Sequence, residues 1–407
     1  MIFYPLYIDP GTGGALFSII IGLFAAIYFF IRAFFIKIKT FLTGGRHSNN
    51  KNNYTWKYVI YNEGKQYWDL FKPVLEEFEN NKTELLYLTS ASDDPGLKIN
   101  WTYVKPEYIG EGNRAFARLN FLSAQVLLMT TPGLDVYQLK RSKTVNHYSH
   151  VVHACTDAMR YRLFGLDYFD SVLLTGDYQS NDIHYLEKLR GLPEKITFTA
   201  GCSYLDESEK KINQIPKEDN HPFTVLVSPS WGASGLLSLY GEKLLDPLKD
   251  SGWRIIIRPH PQSKTSEEHL LNRLQTLYKD SKNIEWDFER ENIFSLSKAD
   301  IMISDFSGIM FDYMFLFDKP VLYANYDFDP RPYDADDLDH ELWQFRMIKE
   351  AGLKIIENDF NNIVDIIKNA SDNENMAKAR REAKETAWQY RGLAGKRIYE
   401  FMTGLQF

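Results

Sequence analysis

Residues 299–327 read ADIMISDFSGIMFDYMFLFDKPVLYANYD, and the pattern of this stretch indicates the class of fold. Its first part, 299–308, is an apolar run that stops in small and polar residues, which predicts a strand and a turn. The next nine residues, 309–317, predict a helix, and 319–327 predicts a second apolar strand. A strand, a helix and a strand in succession are typical of the βαβ unit of α/β proteins.

The same alternation continues on both sides of this stretch. Apolar, β-branched runs predict further strands, and segments with helical spacing separate them. The predicted strands outside 299–327 are 57–62, 84–90, 124–132, 149–155, 171–176, 195–201, 223–230 and 253–261. We therefore expect two doubly wound Rossmann-like domains, at 56–210 and 220–407. The polar, lysine-rich segment 206–222 is expected to link them.

The N-terminus has a different character. No charged residue occurs in 10–31, a run long enough to cross a hydrocarbon core of ~30 Å as a helix. A buried core helix or a signal peptide is the alternative, but a signal peptide would begin with basic residues. We expect a short extracytoplasmic end at 1–14, a transmembrane helix at 15–36 and a tether at 37–55. The basic residues after the run predict a cytoplasmic catalytic part on a single-pass protein of the plasma or inner membrane: Arg32, Lys37, Lys39 and Arg46.

Composition excludes several classes of protein. The 407 residues are 44% hydrophobic and 25% charged, which rules out disorder as the main state. The net charge of -7 argues against nucleic acid as a partner, because such binding needs a basic face. The two cysteines, Cys155 and Cys202, exclude a disulfide scaffold and fit a reduced compartment. No CxxC or His/Cys cluster offers a structural zinc site, so no metal is expected.

The turn SDFSG, 304–308, is the first candidate site. Small residues before a helix leave backbone N–H groups free, and these groups with the helix dipole favour an anionic ligand. The alternative is ordinary capping of the helix by a side chain of the turn. The residues predicted to bind the substrate or its nucleotide here are Ser304, Asp305, Ser307, Gly308 and, one turn into the helix, Asp312.

The strand end RPHP, 258–261, is the second candidate. Two prolines fix the backbone where the strand stops, so Arg258 and His260 are held at the edge of the sheet. Both side chains are suited to donate to a diphosphate, and a histidine offsets the charge of a leaving group. The alternative is a turn histidine without a role.

The segment HYSHVVHACTD, 147–157, is the third candidate and contains three histidines. His153 ends an apolar run, and a neutral imidazole there can take a proton from an acceptor hydroxyl. His150 is expected on the opposite face of this strand, because side chains alternate along a strand. A zinc site or a satisfied buried histidine is the alternative, although these histidines are three residues apart and not at the i, i+4 spacing of a helical zinc pair.

Together these motifs resemble the CDP-glycerol glycerophosphotransferases, which build glycerol-phosphate teichoic acids. The family has an R-x-H-P strand end and, about forty residues later, S/T-D-Y-S-S-x-x-F-D, as in 258–261 and 304–312 here. VLVSPSW, 225–231, resembles the family's A-P-T-W-R strand and adds Ser230 to the predicted binding residues. SHVVHACTD resembles the segment that holds the family's base, although Ala154 and Cys155 stand where the family has Gly-Thr.

The resemblance implies a glycosyltransferase-B-like fold and a transferase without a cofactor. CDP-glycerol, or a related CDP-alcohol, would be the donor substrate. Its diphosphate would lie against Arg258, His260 and the 304–308 turn, while His153 would deprotonate a lipid-linked glycan acceptor. Two alternatives stay open, a glycosyltransferase that uses a nucleotide sugar on the same fold, and a non-catalytic membrane-anchored relative that only binds nucleotide.

Overall fold

Two parallel β-sheets carry the architecture in a computed structural model of the chain. The structure describes residues 55–216, 221–289, 291–305, 307–324 and 328–406. Within these ranges no helix is long and apolar enough to cross a membrane. The expected extracytoplasmic end, transmembrane helix and all but the last residue of the tether lie outside the described residues.

The first lobe is built on a seven-stranded sheet in the order β3-β2-β1-β4-β5-β6-β7. Its strands are β1 (Trp56–Asn62), β2 (Leu85–Thr89), β3 (Val104–Tyr108), β4 (Ser123–Met129), β5 (Thr144–Val151), β6 (Ser171–Leu174) and β7 (Ile196–Thr199). Its helices are α1 (Trp68–Asn80), α2 (Asn113–Asn120), α3 (Tyr178–Arg190) and α4 (Ser203–Ile212), with short 3₁₀ turns at Lys65–Tyr67, Pro95–Leu97 and Ala158–Arg160. Every strand pair is parallel.

The second lobe is built on a six-stranded parallel sheet in the order β10-β9-β8-β11-β12-β13. Its strands are β8 (Thr224–Val227), β9 (Arg254–Ile257), β10 (Ile284–Trp286), β11 (Ile301–Ser304), β12 (Val321–Ala324) and β13 (Leu353–Ile355). The helices are α5 (Leu236–Asp250), α6 (Ser263–Ser266), α7 (Glu268–Leu277), α8 (Ile293–Lys298), α9 (Ile309–Phe317), α10 (Trp343–Ala351), α11 (Ile363–Ser371), α12 (Glu374–Ala387) and α13 (Ala394–Gly404). Two 3₁₀ turns occur at Asp334–Asp337 and Glu357–Asn362.

Helices cover both faces of each sheet, which explains why the strands are continuous apolar runs. Along β1, Val59 and Tyr61 pack into one buried cluster, whereas Tyr58 and Ile60 pack into another on the opposite face. Such two-sided burial is typical of parallel sheets with helices on both sides. The expectation of two Rossmann-like parallel-sheet domains is therefore confirmed.

The domain boundaries need two corrections. The expected linker, 206–222, begins inside α4, whose residues Leu205, Asp206 and Glu207 are buried, because this segment packs between the lobes. The expected second domain, 220–407, does not hold its last helix. Ile398 and Met402 of α13 are buried in the same cluster as α1, so the chain returns to the first lobe at its end.

Each sheet has one point at which the strand order reverses. In the first lobe this point lies between β1 and β4, and in the second between β8 and β11. In open α/β sheets, ligands bind outside the carboxyl ends of the strands at such a point. The turn after β11 contains the predicted residues 304–308, which places this motif at the position where the fold forms a crevice.

Candidate active site

The loop after β8 is held in place from β11. The buried Asp305 carboxylate accepts backbone N–H groups of Ser230 at 3.0 Å and Leu236 at 2.8 Å. The buried Ser304 hydroxyl donates to the carbonyl of Ser228 at 2.5 Å. Both side chains therefore hold this loop in place, and their direct binding of the nucleotide stays a prediction. Ser230 is partly exposed, and its backbone is what Asp305 fixes.

The start of α9 faces the first lobe. Gly308 is the N-cap of α9, and a Cβ placed on it would lie 3.8 Å from Cγ2 of Thr156, which belongs to the first lobe. Ser307 and Gly308 are partly exposed. The N–H groups of Met310 and Phe311 donate to the carbonyls of Ser307 at 3.3 Å and Gly308 at 3.0 Å. What favours an anion at this end of α9 is therefore mainly the helix dipole.

Asp312 lies on the first turn of α9. Among the described residues its carboxyl group makes no hydrogen bond and no ion pair, and burial raises its pKa to about 7. The ring of Tyr204 from α4 is close enough for the charge of Asp312 to raise its pKa, in addition to the larger effect of burial. A carboxyl group that is half neutral near pH 7 both donates and accepts hydrogen bonds, so Asp312 can bind a hydroxyl or a phosphate oxygen.

One ring nitrogen of His260 is hydrogen-bonded to the backbone. Its Nδ1 accepts the backbone N–H of Gln262 at 3.1 Å, so the proton of the neutral ring is on Nε2. Burial lowers the pKa of His260, while the charges of Asp305 and Glu267 act in the opposite direction. The ring of Trp231 lies 6.3 Å away and is exposed. His260 is therefore a neutral donor at the edge of the second sheet.

Arg258 is turned toward β10. Its guanidinium forms an ion pair with Asp287 and donates to the carbonyl of Glu289 at 2.7 Å. These contacts brace the loop after β10. The role of Arg258 in holding a diphosphate therefore stays a prediction.

His153 lies just beyond the end of β5. This strand ends at Val151 and not at 155 as expected, so the alternation of side chains does not extend to His153. The hydroxyl of Tyr161 lies 3.0 Å from Nε2 of His150 and 3.4 Å from Nδ1 of His153. The two histidines therefore share one phenol, which corrects the expectation that they occupy opposite faces.

Both of these histidines are neutral at pH 7. Burial lowers the pKa of His153 to about 4, and burial with the nearby ring of His153 lowers the pKa of His150 to about 3. His153 remains partly exposed, and the ring of Tyr67 packs against it at 5.1 Å. A neutral, accessible imidazole is the form that accepts a proton. His147 is different, because its Nε2 bonds to Ser171 at 2.9 Å inside the first lobe.

Sequence reasoning missed two features of this region. Tyr161 follows a 3₁₀ turn, and only the folding of that turn brings its hydroxyl between the histidines. Asp157 caps the second lobe's α10, since its carboxylate accepts the N–H groups of Trp343 at 3.2 Å and Gln344 at 2.8 Å. The position of Asp157 just after the histidine segment 147–153 was the only sign in the sequence that this residue has a role. Its partners on α10 lie 186 and 187 residues further along the chain.

The acidic segment 334–341 is only partly exposed to solvent. Asp334 is buried and binds Arg190 of α3 at 2.8 Å, together with Asp337 at 2.6 Å. This acidic segment belongs to the second half of the chain, so it ties the two lobes together. Among the described residues no group of three or more His, Cys, Asp or Glu side chains is arranged to hold a metal ion.

Comparison with known proteins finds a family whose sequence model matches the second part of the chain. Residues 209–404 match the family model described as CDP-Glycerol:Poly(glycerophosphate) glycerophosphotransferase. This range contains His260 and the start of α9, whereas His153 precedes it. No curated protein sequence matches the chain.

Solved structures share the two-lobed fold. The wall teichoic acid polymerase TagF is 14% identical, with 88% of this chain and 90% of that chain covered and a TM-score of 0.56. The UDP-GlcNAc 2-epimerase of Methanocaldococcus jannaschii, in complex with UDP-GlcNAc and UDP, is 13% identical, with 86% and 100% covered and a TM-score of 0.56. A putative UDP-N-acetylglucosamine 2-epimerase of Listeria monocytogenes is 14% identical, with 86% and 97% covered and a TM-score of 0.56.

At these identities the solved structures establish the fold, and the family model is the finding that bears on chemistry. The match spans the complete second sheet, from β8 to β13, and the strand ends that carry His260 and the 304–308 turn. Through residues 209–404, a little under half of the chain, this protein is therefore similar to the CDP-glycerol:poly(glycerophosphate) glycerophosphotransferases, and the match identifies it as a transferase of that class.

Proposed function

We propose that this chain transfers glycerol phosphate, or a related polyol phosphate, from CDP-glycerol to a hydroxyl of a lipid-linked or cell-surface glycan, and releases CMP. One observation carries the proposal. The part of the chain that matches the glycerophosphotransferase family, residues 209–404, carries a neutral histidine donor, His260, and the N-terminus of α9 at the carboxyl edge of one sheet. Such an edge is where α/β folds bind nucleotides.

The proposed reaction is a displacement at phosphorus. The acceptor oxygen attacks the phosphorus that bears glycerol, and a new phosphodiester bond forms. The bond between that phosphorus and the bridging oxygen breaks, and CMP leaves with this oxygen. The Nε2–H of His260 and the dipole of α9 stabilise the charge on the phosphates. The acceptor's proton passes to His153. Phosphoryl transfer asks the protein mainly for positioning and charge stabilisation.

The shared phenol explains how His153 is kept ready as a base. Nε2 of His153 accepts a proton only if the ring's own proton is on Nδ1, where it donates to the oxygen of Tyr161. The hydroxyl of Tyr161 then donates to Nε2 of His150 at 3.0 Å. The proton of His150 is consequently on Nδ1, the nitrogen that is buried without a partner in the described structure. The contacts of Tyr161 accommodate this base-competent tautomer of His153.

The membrane anchor is part of the proposal. The uncharged run within residues 10–31 and the basic residues that follow it support a helix at 15–36 with the catalytic part in the cytoplasm. A C-terminal reporter enzyme that works only outside the cytoplasm should be silent when fused to the full chain. An active reporter would contradict this orientation.

Two alanine variants separate donor binding from proton removal. His153→Ala should still bind CDP-glycerol by calorimetry but lose turnover by about 10²–10⁴, the usual effect of a general base. His260→Ala should lose about 10²–10³ in turnover, since a donor to the phosphates is removed. The proposal is contradicted if His153→Ala turns over normally, or if His260→Ala leaves activity unchanged.

A nucleotide-sugar substrate is the second candidate. Its support is the equal TM-score, 0.56, of an epimerase solved with UDP-GlcNAc and UDP. The identity of the released nucleotide decides between the two candidates. Release of CMP from CDP-glycerol supports the first, whereas release of UDP from a UDP-sugar, with CDP-glycerol inert, supports the second.

A further inference from the structure

A groove of about 460 Å³ lies at the carboxyl edge of the first sheet. The segments that follow β1, β2 and β3 form its walls, next to the point where the strand order reverses. The residues that line it are Tyr61, Glu63, Gly64, Lys65, Gln66, Ser90, Ala91, Ser92, Asp93, Glu111, Gly112 and Phe116. Nothing in the reaction described above has yet used this groove.

One turn of the groove's wall also supplies a residue that contacts the proposed base. Its Lys65 and Gln66 belong to the same 3₁₀ turn as Tyr67, whose ring packs on His153 at 5.1 Å between centroids. The charge of Glu63 also reaches Tyr67, where it acts with the larger effect of burial to raise the pKa to about 12. The turn that lines the groove is therefore joined to His153 through the ring of Tyr67.

The groove carries an excess of negative charge. Of the described residues that line it, three are acids and one, Lys65, is a base, and Lys65 is bonded to Asp93. The Glu63 carboxylate accepts the hydroxyl of Thr131 at 2.6 Å and keeps further lone pairs for a ligand. The Glu111 side chain makes no bond in the described structure. The N-terminus of α2 opens here through Gly112, but Glu111 precedes it and offsets its attraction for anions.

These features fit one chemical class. Carboxylates accept hydrogen bonds from hydroxyl groups, and Tyr61 with Phe116 adds apolar surface, a combination that suits a sugar. A phosphodiester would meet like charges in the groove. Resting on the proposed function, we propose that this groove binds the acceptor as a neutral, hydroxyl-rich saccharide and discriminates against an acceptor that already carries a phosphodiester. The chain then adds a first unit rather than extending a polyanion.

The experiment uses the full chain in detergent with CDP-glycerol and two acceptors. One is a neutral alkyl disaccharide, and the other is the same compound already bearing one glycerol phosphate. We expect transfer to the neutral acceptor with a kcat/KM at least about tenfold higher than to the charged one, since two surplus carboxylates face the added charge. Glu63→Gln/Glu111→Gln should narrow this ratio to within about threefold and raise the KM for the neutral acceptor.

Glu84→Gln/Glu194→Gln is the matched control, because it also removes two negative charges. Both residues are exposed, Glu84 just before β2 at the amino end of that strand and Glu194 on the loop before β7. This control should leave both acceptors unchanged. Equal or better use of the charged acceptor, or a ratio unaffected by the double variant, would overturn the inference while leaving CMP release intact. Absence of CMP release with either acceptor would instead overturn the proposed function.

Discussion

At the scale of single residues, the phenol of Tyr161 is the contact that the proposed chemistry depends on most. It lies within 3.4 Å of one histidine nitrogen and 3.0 Å of another, and the lowered pKa values keep both rings neutral at pH 7. Without this phenol, nothing described in the structure would fix the proton of His153 on Nδ1. Tyr161 is thus a positioning residue that acts through His153.

Tyr161→Phe should lower kcat about tenfold and leave the KM for CDP-glycerol unchanged, because one hydrogen bond to the base is lost. Steady-state kinetics over a range of pH provides the check. Tyr399→Phe is the control. Tyr399 lies on α13, which carries no site residue, and its hydroxyl forms a hydrogen bond with Thr83 at 3.1 Å. A change in KM alone in Tyr161→Phe would speak against a role through the base.

Asp312 gives a pH-dependent prediction for stability. Burial raises its pKa from 3.8 to about 7, so the folded state binds its proton more tightly than the unfolded state. The free energy of unfolding should therefore fall as pH rises from about 4 to 7. Asp312→Asn should remove part of this fall, which urea denaturation at pH 5 and pH 8 would measure. Identical pH dependence in wild type and variant would show that Asp312 stays ionised.

At the scale of elements, the loop after β8 and the start of α9 form one unit, because β11 supplies the bonds that hold both. Two glycines of this unit differ in the space that is available for a side chain. A Cβ on Gly308 would meet its nearest neighbour at 3.8 Å, an ordinary contact, whereas a Cβ on Gly235 would lie 2.7 Å from the backbone oxygen of Ser230.

Gly308→Ser should therefore keep the affinity for CDP-glycerol within about threefold of wild type, since the N–H groups of α9 remain in place. Gly235→Ala should weaken it, because the loop must shift, at a typical overpacking cost of about 1–3 kcal/mol. Isothermal titration of both variants is the measurement. Loss of binding in Gly308→Ser together with normal binding in Gly235→Ala would contradict this prediction.

The helices and strands that follow a simple hydrophobic pattern could be predicted from the sequence. The strands around 299–327 are apolar because helices cover both faces of the sheet, and this is legible from the residues alone. The roles of Ser304 and Asp305 were not legible, because their partners, Ser228, Ser230 and Leu236, are far away in the chain. The end of β5 was placed too late, since the apolar run continues past Val151 into a buried loop.

At the scale of the whole molecule, a buried charge cluster joins the two lobes. Arg190 of the first lobe binds Asp334 and Asp337 of the second half of the chain and Asp167 of its own lobe, at 2.8, 2.6 and 2.7 Å. Asp334 is only 1% exposed. Removing one partner of a buried cluster leaves the other charges unpaired, which is costly.

Arg190→Met should lower the free energy of unfolding by about 3–5 kcal/mol. Urea denaturation followed by tryptophan fluorescence is the check. Arg331→Met is the matched control on the same segment, because Arg331 pairs with Asp329 in full exposure, and such pairs contribute little. Equal destabilisation by both variants would mean that the cluster does not hold the lobes.

Identification of the reaction product tests the proposed glycerol phosphate transfer most clearly. The purified full chain, CDP-glycerol and a neutral saccharide acceptor are incubated together, and mass spectrometry follows both the acceptor and the nucleotide. The acceptor should gain one glycerol phosphate for each CMP released, and His153→Ala should form neither product. Acceptor-independent release of CMP, or a product that has gained a sugar from a nucleotide sugar instead, would contradict the proposed transfer.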